Sequence, residues 1–397
     1  MLRTELYEGI RIDWDVPIVM SDGVTLRCDV FRPDDEGQYP VLLGATPYGK
    51  WLSFQDEVWG GQWKMLTRHE PSITTQSTNR LQNYEFPDPE RFVHDGYVLV
   101  RLDVRGTGRS PGVMDLLSVR ETQDFYEAIV WAGEQPWSNG RVGLSGVSYL
   151  AMNQWQVAAL QPPHLAAINP WEGYSDSYRE RAKHGGIPEI RFMPYWLEGS
   201  RYSRGRVEDV MAMIEEHPFF DAYWESKAPD LSKITCPAYV VASWSDQGLH
   251  TRGTIEGYKQ MSSRDKWLEV HGRRKWEYFM RPDNVEKQRI FFDRFLKGVD
   301  NEISKWPKVS IEVRDRFYVG ETRAEAEWPL ARTQYTPLYV DGTTSTLAAS
   351  PPAAASMIRY KGVDGRAVLT HRFDKRTELS GHMKLKLWVS TTEGDDM

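Results

Sequence analysis

From Val16 to Val30 apolar and polar positions alternate, with Val16, Ile18 and Met20 before Ser21-Asp-Gly23 and Val24, Leu26, Cys28 and Val30 after it. A period of two broken by an Asp-Gly turn predicts an antiparallel hairpin. The pattern then changes: Pro40-Val-Leu-Leu-Gly-Ala45 and Tyr97-Val-Leu-Val-Arg-Leu102 are continuous apolar runs. Strands without alternation are covered on both faces, as in a parallel sheet. Between Thr122 and Glu134, Phe125, Tyr126, Ile129 and Val130 recur at helical spacing, Ser138-Asn-Gly140 turns the chain, and a further strand runs to Val147. This is β-α-β order. From about Trp171 to Lys233 aromatic and charged residues mix at helical spacing, which predicts a helical insertion. Strands resume at Ala238-Tyr-Val-Val-Ala242 and Trp267-Leu-Glu-Val270, and a helix from about Val285 to Lys297 carries Phe291, Phe292, Phe295 and Leu296 up to Gly298. After Trp306 only short alternating segments remain: Val309–Val313, Thr336–Val340, Ala367–Phe373 and Lys384–Ser390. They predict a separate all-β domain. The expected division is an α/β core over 1–170 and 234–304, an insertion over 171–233 and a β domain over 305–397.

Composition narrows the class. The 397 residues exceed one ordinary domain, and 40% hydrophobic with 26% charged residues is the balance of a soluble globular chain. A net charge of −7 argues against a general nucleic-acid binder, which needs a basic face. No apolar run is long enough to span a membrane, and Met-Leu-Arg-Thr-Glu-Leu-Tyr-Glu at the start has no secretory core. With Cys28 and Cys236 the only cysteines, a disulfide framework is excluded and a cytoplasmic location is expected. No metal or cofactor is called for. Gly106, Gly108 and Gly112 lack the spacing of a dinucleotide fingerprint.

The chemistry centres on Gly146-Val-Ser148-Tyr-Leu-Ala151, where small residues flank a serine between a strand and a helix. That is the pattern of a nucleophile elbow, with Ser148 at the tip of a strained turn and the helix dipole beneath it. Ser145 lies on the strand side and suits the role less well. A serine needs a base, and the base needs a carboxylate to hold its tautomer. Asp246 follows the strand ending at Ser243, and His271 ends the strand Leu268-Glu-Val-His271. Both leave the C-terminal edge of a parallel sheet, where such sites form. His250 competes with His271, but its place four residues after Asp246 makes it a poor independent partner of that aspartate.

These pieces resemble the cocaine esterase, α-amino-acid ester hydrolase and X-prolyl dipeptidyl-peptidase group of serine hydrolases. The matching segments are Ser21-Asp-Gly-Val-Thr-Leu, Thr46-Pro-Tyr-Gly-Lys50, Asp103-Val-Arg-Gly-Thr-Gly-Arg-Ser, Gly146-Val-Ser-Tyr, Trp244-Ser-Asp246 and Phe291-Phe-Asp-Arg-Phe-Leu-Lys-Gly298. The resemblance implies an α/β-hydrolase fold, a helical cap at 171–233 and a C-terminal jelly-roll-like domain. It implies Ser148 as nucleophile, Asp246 as the triad acid, and an oxyanion hole made by the Tyr48 hydroxyl and the Tyr149 backbone N–H. Residues 50–90, with Trp51, Trp59, Trp63 and Tyr84, become a long loop at the acyl pocket. Two departures stand out: Ala151 replaces a usual glycine, and Val270-His-Gly-Arg-Arg-Lys-Trp276 replaces Gly-Pro-Trp-x-His, so that His271 lies earlier than that motif's histidine.

The expected activity is hydrolysis of an ester, an amide or a short peptide through an acyl-enzyme. Acyl transfer by the same residues, or a binding protein that has lost the activity, are the alternatives. Glu172, Asp176, Glu180 and Glu198 are candidates for holding a substrate amine. Leu385, Leu387 and Val389 alternate with Lys384, Lys386 and Trp388, so the last strand expects neighbours. The β domain is therefore expected to be incomplete, as a fragment of a longer protein, or to be completed by a second polypeptide or by homo-oligomerisation.

Overall fold

The structure is a computed structural model that describes residues 3–199, 205–362 and 364–392. Its chain divides into two compact units, Met1–Ala324 and Glu325–Met397.

The first unit is built on one eleven-stranded sheet. Its strands are β1 (Arg3–Tyr7), β2 (Ile10–Val19), β3 (Thr25–Pro33), β4 (Tyr39–Thr46), β5 (Val98–Asp103), β6 (Ser138–Val147), β7 (Leu165–Trp171), β8 (Ala238–Ser243), β9 (Lys266–His271), β10 (Val309–Arg316) and β11 (Val319–Glu325). They lie in the order β1-β2-β3-β5-β4-β6-β7-β8-β9-β10-β11. The predicted hairpin is β2–β3, closed at Gly23 by N–H donation to the Met20 carbonyl, with Ile18 opposite Leu26. From β5 through β4 to β10 every neighbouring pair is parallel. Val41, Leu42, Leu43, Val98, Leu99 and Val100 are all fully buried, as the unalternating runs require.

Helices α1 (Glu57–His69), α2 (Val119–Gly133), α3 (Tyr149–Ala158), α4 (Thr251–Gln260), α5 (Lys275–Met280) and α6 (Pro282–Phe292) occupy the crossovers. Ser118 starts α2 by accepting the Glu121 N–H, and the helix turns Phe125, Ala128 and Ile129 to the sheet. All ten residues of α3 are buried. The 171–233 insertion, between β7 and β8, carries the short helices Phe192–Gly199, Val210–Glu216 and Ala222–Ser226. Asp209 and Asp221 cap the last two through the N–H groups of Ala212 and Tyr223.

The β domain expected over 305–397 opens with β10, and the sheet of the first unit takes that strand up. β10 pairs with β9, Val309 opposite Leu268 and Ile311 opposite Val270, and β11 follows it. Val309 and Ile311 are buried because they complete the β9 edge, and the division between units falls after Ala324. In the second unit a hairpin of β12 (Tyr339–Asp341) and β13 (Thr346–Ala348) and a bridge between Thr346 and Thr370 are the pairings among the described residues. The strands expected at Ala367–Phe373 and Lys384–Ser390 do not form. A strand exists through its ladder, and here Leu385, Trp388 and Val389 are 74, 90 and 60% exposed with no paired neighbour. The acidic turn at the chain end, 393–397, lies outside the described residues.

Candidate active site

Each site residue leaves the C-terminal end of a parallel strand. Tyr48 follows β4, Ser148 follows β6, Glu172 follows β7, Asp246 and His250 follow β8, and Lys275 follows β9. A parallel sheet collects such residues in one crevice.

At the elbow, Ser148 has φ 56° and ψ −112° and α3 starts at the next residue. Its N–H donates to the Trp171 carbonyl at 3.0 Å. Gly146 is required here, since a Cβ would come within 2.4 Å of Leu150 Cβ and 3.1 Å of the Glu85 carbonyl. Ala151 fits because its neighbour is Gly173, whose own Cβ would lie only 2.4 Å from the Ala151 methyl. Glu85 (φ 64°) and Glu172 (φ 46°) also hold left-handed backbone. Such strain, about 1–3 kcal/mol per residue, collects where a site must hold its geometry.

The imidazole at Ser148 belongs to His250, whose Nε2 is 3.0 Å from Oγ. The ring is fully buried, and burial, aided by the Lys275 ammonium and opposed by Asp246, lowers its pKa to about 3. Its other nitrogen, Nδ1, accepts the Tyr174 backbone N–H at 3.2 Å, and the two rings stack at 5.5 Å. A neutral imidazole has one N–H. With Nδ1 accepting, the proton is on Nε2 and is donated to Ser148.

His271 is not brought to Ser148. Its Nδ1 accepts the Arg273 N–H at 3.0 Å, its Nε2 donates to Glu172 Oε1 at 3.0 Å, and its ring stacks on Tyr278 at 3.8 Å. Burial depresses it to about 3, against Glu269 and Glu312, which favour the cation. The Asp246 carboxylate meets neither imidazole through a hydrogen bond; it accepts from Lys275 Nζ at 2.8 Å. Burial pushes Asp246 up, but Lys275 first, then His250, outweigh this and hold it below the usual range. Lys275 in turn is raised: burial opposes its charge, and Asp246, Glu85 and Glu172 overcome that. The spacing of four residues makes His250 a poor partner for Asp246. In fact the two need not pair, because the Asp246 carbonyl takes the His250 backbone N–H at 3.0 Å while its carboxylate turns to Lys275.

Tyr48 is 6% exposed and accepts the Trp196 indole N–H at 3.2 Å. Burial first, and the charge of the Glu85 carboxylate after it, raise its hydroxyl well above the ordinary value. Trp59, Tyr84, Tyr149 and Trp196 surround its ring at 5.8, 5.0, 6.5 and 6.3 Å. Trp59 and Tyr84 come from the segment read as a long loop, which in the structure carries α1. Tyr149, at the first position of α3, has an N–H without an intrahelical acceptor.

The expected amine-holding carboxylates are mostly engaged. Glu172 is bound to His271, Glu180 to Arg252 and Asp176 to Arg179, while Glu198 is exposed. No group of three or more His, Cys, Asp or Glu suited to a metal occurs among the described residues. No helix among them is long and apolar enough to cross a membrane.

The chain resembles known proteins along most of its length. Residues 22–276 match the X-Pro dipeptidyl-peptidase (S15 family) model, and 301–397 match the X-Pro dipeptidyl-peptidase C-terminal non-catalytic domain. The chain is 29% identical over 387 residues to cocaine esterase of Rhodococcus sp., covering 83% of this chain and 62% of that protein. A CocE/NonD family hydrolase structure from Staphylococcus aureus superposes with a TM-score of 0.79 at 42% identity, over 86% of this chain and 60% of that one. An α-amino acid ester hydrolase structure shares the fold at a TM-score of 0.63 and 19% identity, over 88% and 64% of the two chains. The chain thus spans less than two thirds of the length of these relatives. Its fold is that of the α/β-hydrolases, and the chain belongs to the X-Pro dipeptidyl-peptidase S15 family.

Proposed function

We propose that the protein is a serine hydrolase that cleaves small esters or short amides through an acyl-enzyme on Ser148. The observation that carries this reading is the strained Ser148 elbow with His250 Nε2 held 3.0 Å from its Oγ. Oγ attacks the substrate carbonyl, and the oxygen that gains charge is received by the Tyr48 hydroxyl and the Tyr149 N–H, at the positive end of α3; when that charge returns, the bond to the leaving alcohol or amine breaks and the leaving group departs with the proton that Ser148 gives up. Water then attacks the acyl-enzyme in the same pocket. The S15 family match and the names of the relatives, which include an esterase, support this class. The aromatic wall of Trp59, Tyr84, Tyr149 and Trp196 suits an apolar or aryl acyl group. An alkyl fluorophosphonate tests the reading: intact mass should show one adduct, and peptide mapping should place it on Ser148. A folded protein that gives no adduct at any pH would refute it and leave a hydrolase-fold binding protein.

The two histidines should separate cleanly. His250→Ala removes the donor at Oγ and should slow labelling on the order of 10²–10³-fold, the scale of one lost stabilising hydrogen bond. His271→Gln should label at close to the normal rate while losing about 1–3 kcal/mol in urea unfolding, because it disturbs the partner of buried Glu172. Equal labelling by both variants would remove His250 from the site.

A further inference from the structure

Tyr149 offers its backbone N–H to the oxyanion, while the far end of its side chain is held by another helix: the hydroxyl donates to Oε1 of Glu121 on α2. The other carboxyl oxygen, Oε2, is buried without a hydrogen-bond partner among the described residues, and so is Oδ1 of Asn153. Both residues line one cavity of about 10 Å³, room for about one water molecule. Asn153 stands four residues after Tyr149 and so shares its face of α3. Its Nδ2 donates to the Ala45 carbonyl at 2.9 Å, which leaves Oδ1 as the free acceptor. Cations near Glu121 are committed elsewhere: Arg105 to Asp124 at 2.6 Å and Asp22 at 3.0 Å, Lys227 to Asp115 at 2.5 Å and the Leu116 carbonyl at 2.7 Å. Two orphaned acceptors on one cavity need hydrogens, and a buried carboxyl without a counter-charge keeps its proton. We propose that Glu121 is held as a neutral acid whose Oε2–H reaches Asn153 Oδ1 through one water in this cavity, and that it is a positioning residue for the Tyr149 side of the oxyanion hole.

The positioning role rests on the Tyr149 N–H receiving the oxyanion. In the neutral acid Oε1 accepts the Tyr149 hydroxyl, Oε2–H donates to the water, and the water donates to Asn153 Oδ1, so both orphaned oxygens gain partners. The network ties the first turn of α3 to α2 through Glu121, and to β4 through Asn153 and Ala45. Tyr48 leaves the end of that same strand, so the two groups that receive the oxyanion are braced by one set of buried bonds. Desolvation lifts Glu121 from the ordinary 4.5 to about 8, opposed by the Tyr149 hydroxyl, Lys227 and the Leu117 N–H and helped by Asp115. Arg105 and Asp124 stand on the cavity wall, and the charge of Glu121 also reaches Tyr174. Being raised, Glu121 contributes stability that is fully present below its unfolded value and is lost as pH rises through about 8.

Infrared difference spectra and labelling by an alkyl fluorophosphonate, both on the whole chain, test this together. Between pH 7 and about pH 10 the wild type should lose a protonated-carboxyl C=O band that is missing from the same difference spectrum of Glu121→Gln. Glutamine keeps an oxygen for Tyr149 and an N–H for the water, so this variant should label at the wild-type rate at pH 7. The ratio of the wild-type rate to its rate should then fall as pH rises through about 8, where the carboxylate has no hydrogen left to give. Tyr149→Phe keeps the ring that stacks on Trp196 at 6.0 Å but cuts the link to Glu121. It should lower the maximal inactivation rate about 10–100-fold with the half-saturating concentration unchanged, because a misplaced donor acts at the attack and not on binding. An identical band change in wild type and Glu121→Gln, or a Glu121→Gln that unfolds or labels as slowly as Tyr149→Phe at pH 7, means an ionised Glu121 and overturns the proposal. Tyr149→Phe labelling at the wild-type rate removes the positioning role. Absence of labelling in the wild type with the band present would instead strike at the hydrolase reading and leave the neutral acid in place.

Discussion

Ser148→Ala is expected to abolish fluorophosphonate labelling and to lower ester turnover on the order of 10⁶-fold, the scale at which removing a serine nucleophile acts on a whole catalytic unit. Oγ is the reacting atom, and no neighbour can replace it: Ser145 is buried in β6 between Asn169 and Gln288. Stability should change much less. Alanine must adopt the same φ of 56°, so the strain stays, and the loss is about 1 kcal/mol for the His250 N–H left without its acceptor. Ser148→Gly should be more stable than Ser148→Ala by roughly 1 kcal/mol, because glycine adopts this φ freely. Steady-state kinetics and urea unfolding on the same preparations check both halves. Residual turnover within about tenfold of wild type would exclude Ser148 as the nucleophile.

Lys275→Met is expected to be strongly destabilising for a single change near the site, by about 1.5–3 kcal/mol at neutral pH, since it leaves the half-buried Asp246 carboxylate without its counter-charge. The Lys275 side chain is 12% exposed and bonded to Asp246 at 2.8 Å, with Glu85 and Glu172 contributing to its raised pKa. The pH dependence follows from the shifts. Asp246, lowered in the native protein, contributes stability above its unfolded pKa of about 3.9 and loses it as pH falls through the folded value. Lys275, raised, contributes below its unfolded pKa of about 10.4 and loses it as pH rises through the folded value. The gap between wild type and Lys275→Met should therefore be widest between these limits and narrow as pH falls below about 3.9. Urea midpoints at pH 7.5 and 3 measure it, and a pH-independent gap would assign the loss to packing alone.

The elbow was legible because its cause is local: small residues around Ser148 and a strand running into a helix are written within one short segment. The parallel strands were legible for the same reason, as Val41–Leu43 and Val98–Val100 are apolar without interruption. What the sequence hid depends on which side chain a residue turns to. Asp246 and His250 lie four apart and looked redundant, but backbone and carboxylate of Asp246 serve different partners. His271 looked like a base because it ends a strand, and only the position of Glu172, ninety-nine residues away, shows where its proton goes. Glu85 carried no motif at all; its burial and its bond from the Trp276 indole N–H exist only in the folded chain. Alternation in Val309–Val313 says that a strand forms and nothing about which edge it joins, and in the structure β10 joins β9.

Helix α3, buried along its whole length, has a bearing on how the protein fails. A segment enclosed on every side has no low-energy opening of its own, and its amides exchange with solvent only when the surrounding unit unfolds. Ser148 is the residue that precedes this helix, so the nucleophile is tied to the most cooperative part of the molecule. The insertion is anchored less evenly: Phe192 and Tyr195 are 36 and 75% exposed, while Met193, Val210, Ile214 and Trp224 are buried. The integrity of the serine is thereby governed by the melting of the sheet rather than by any local opening.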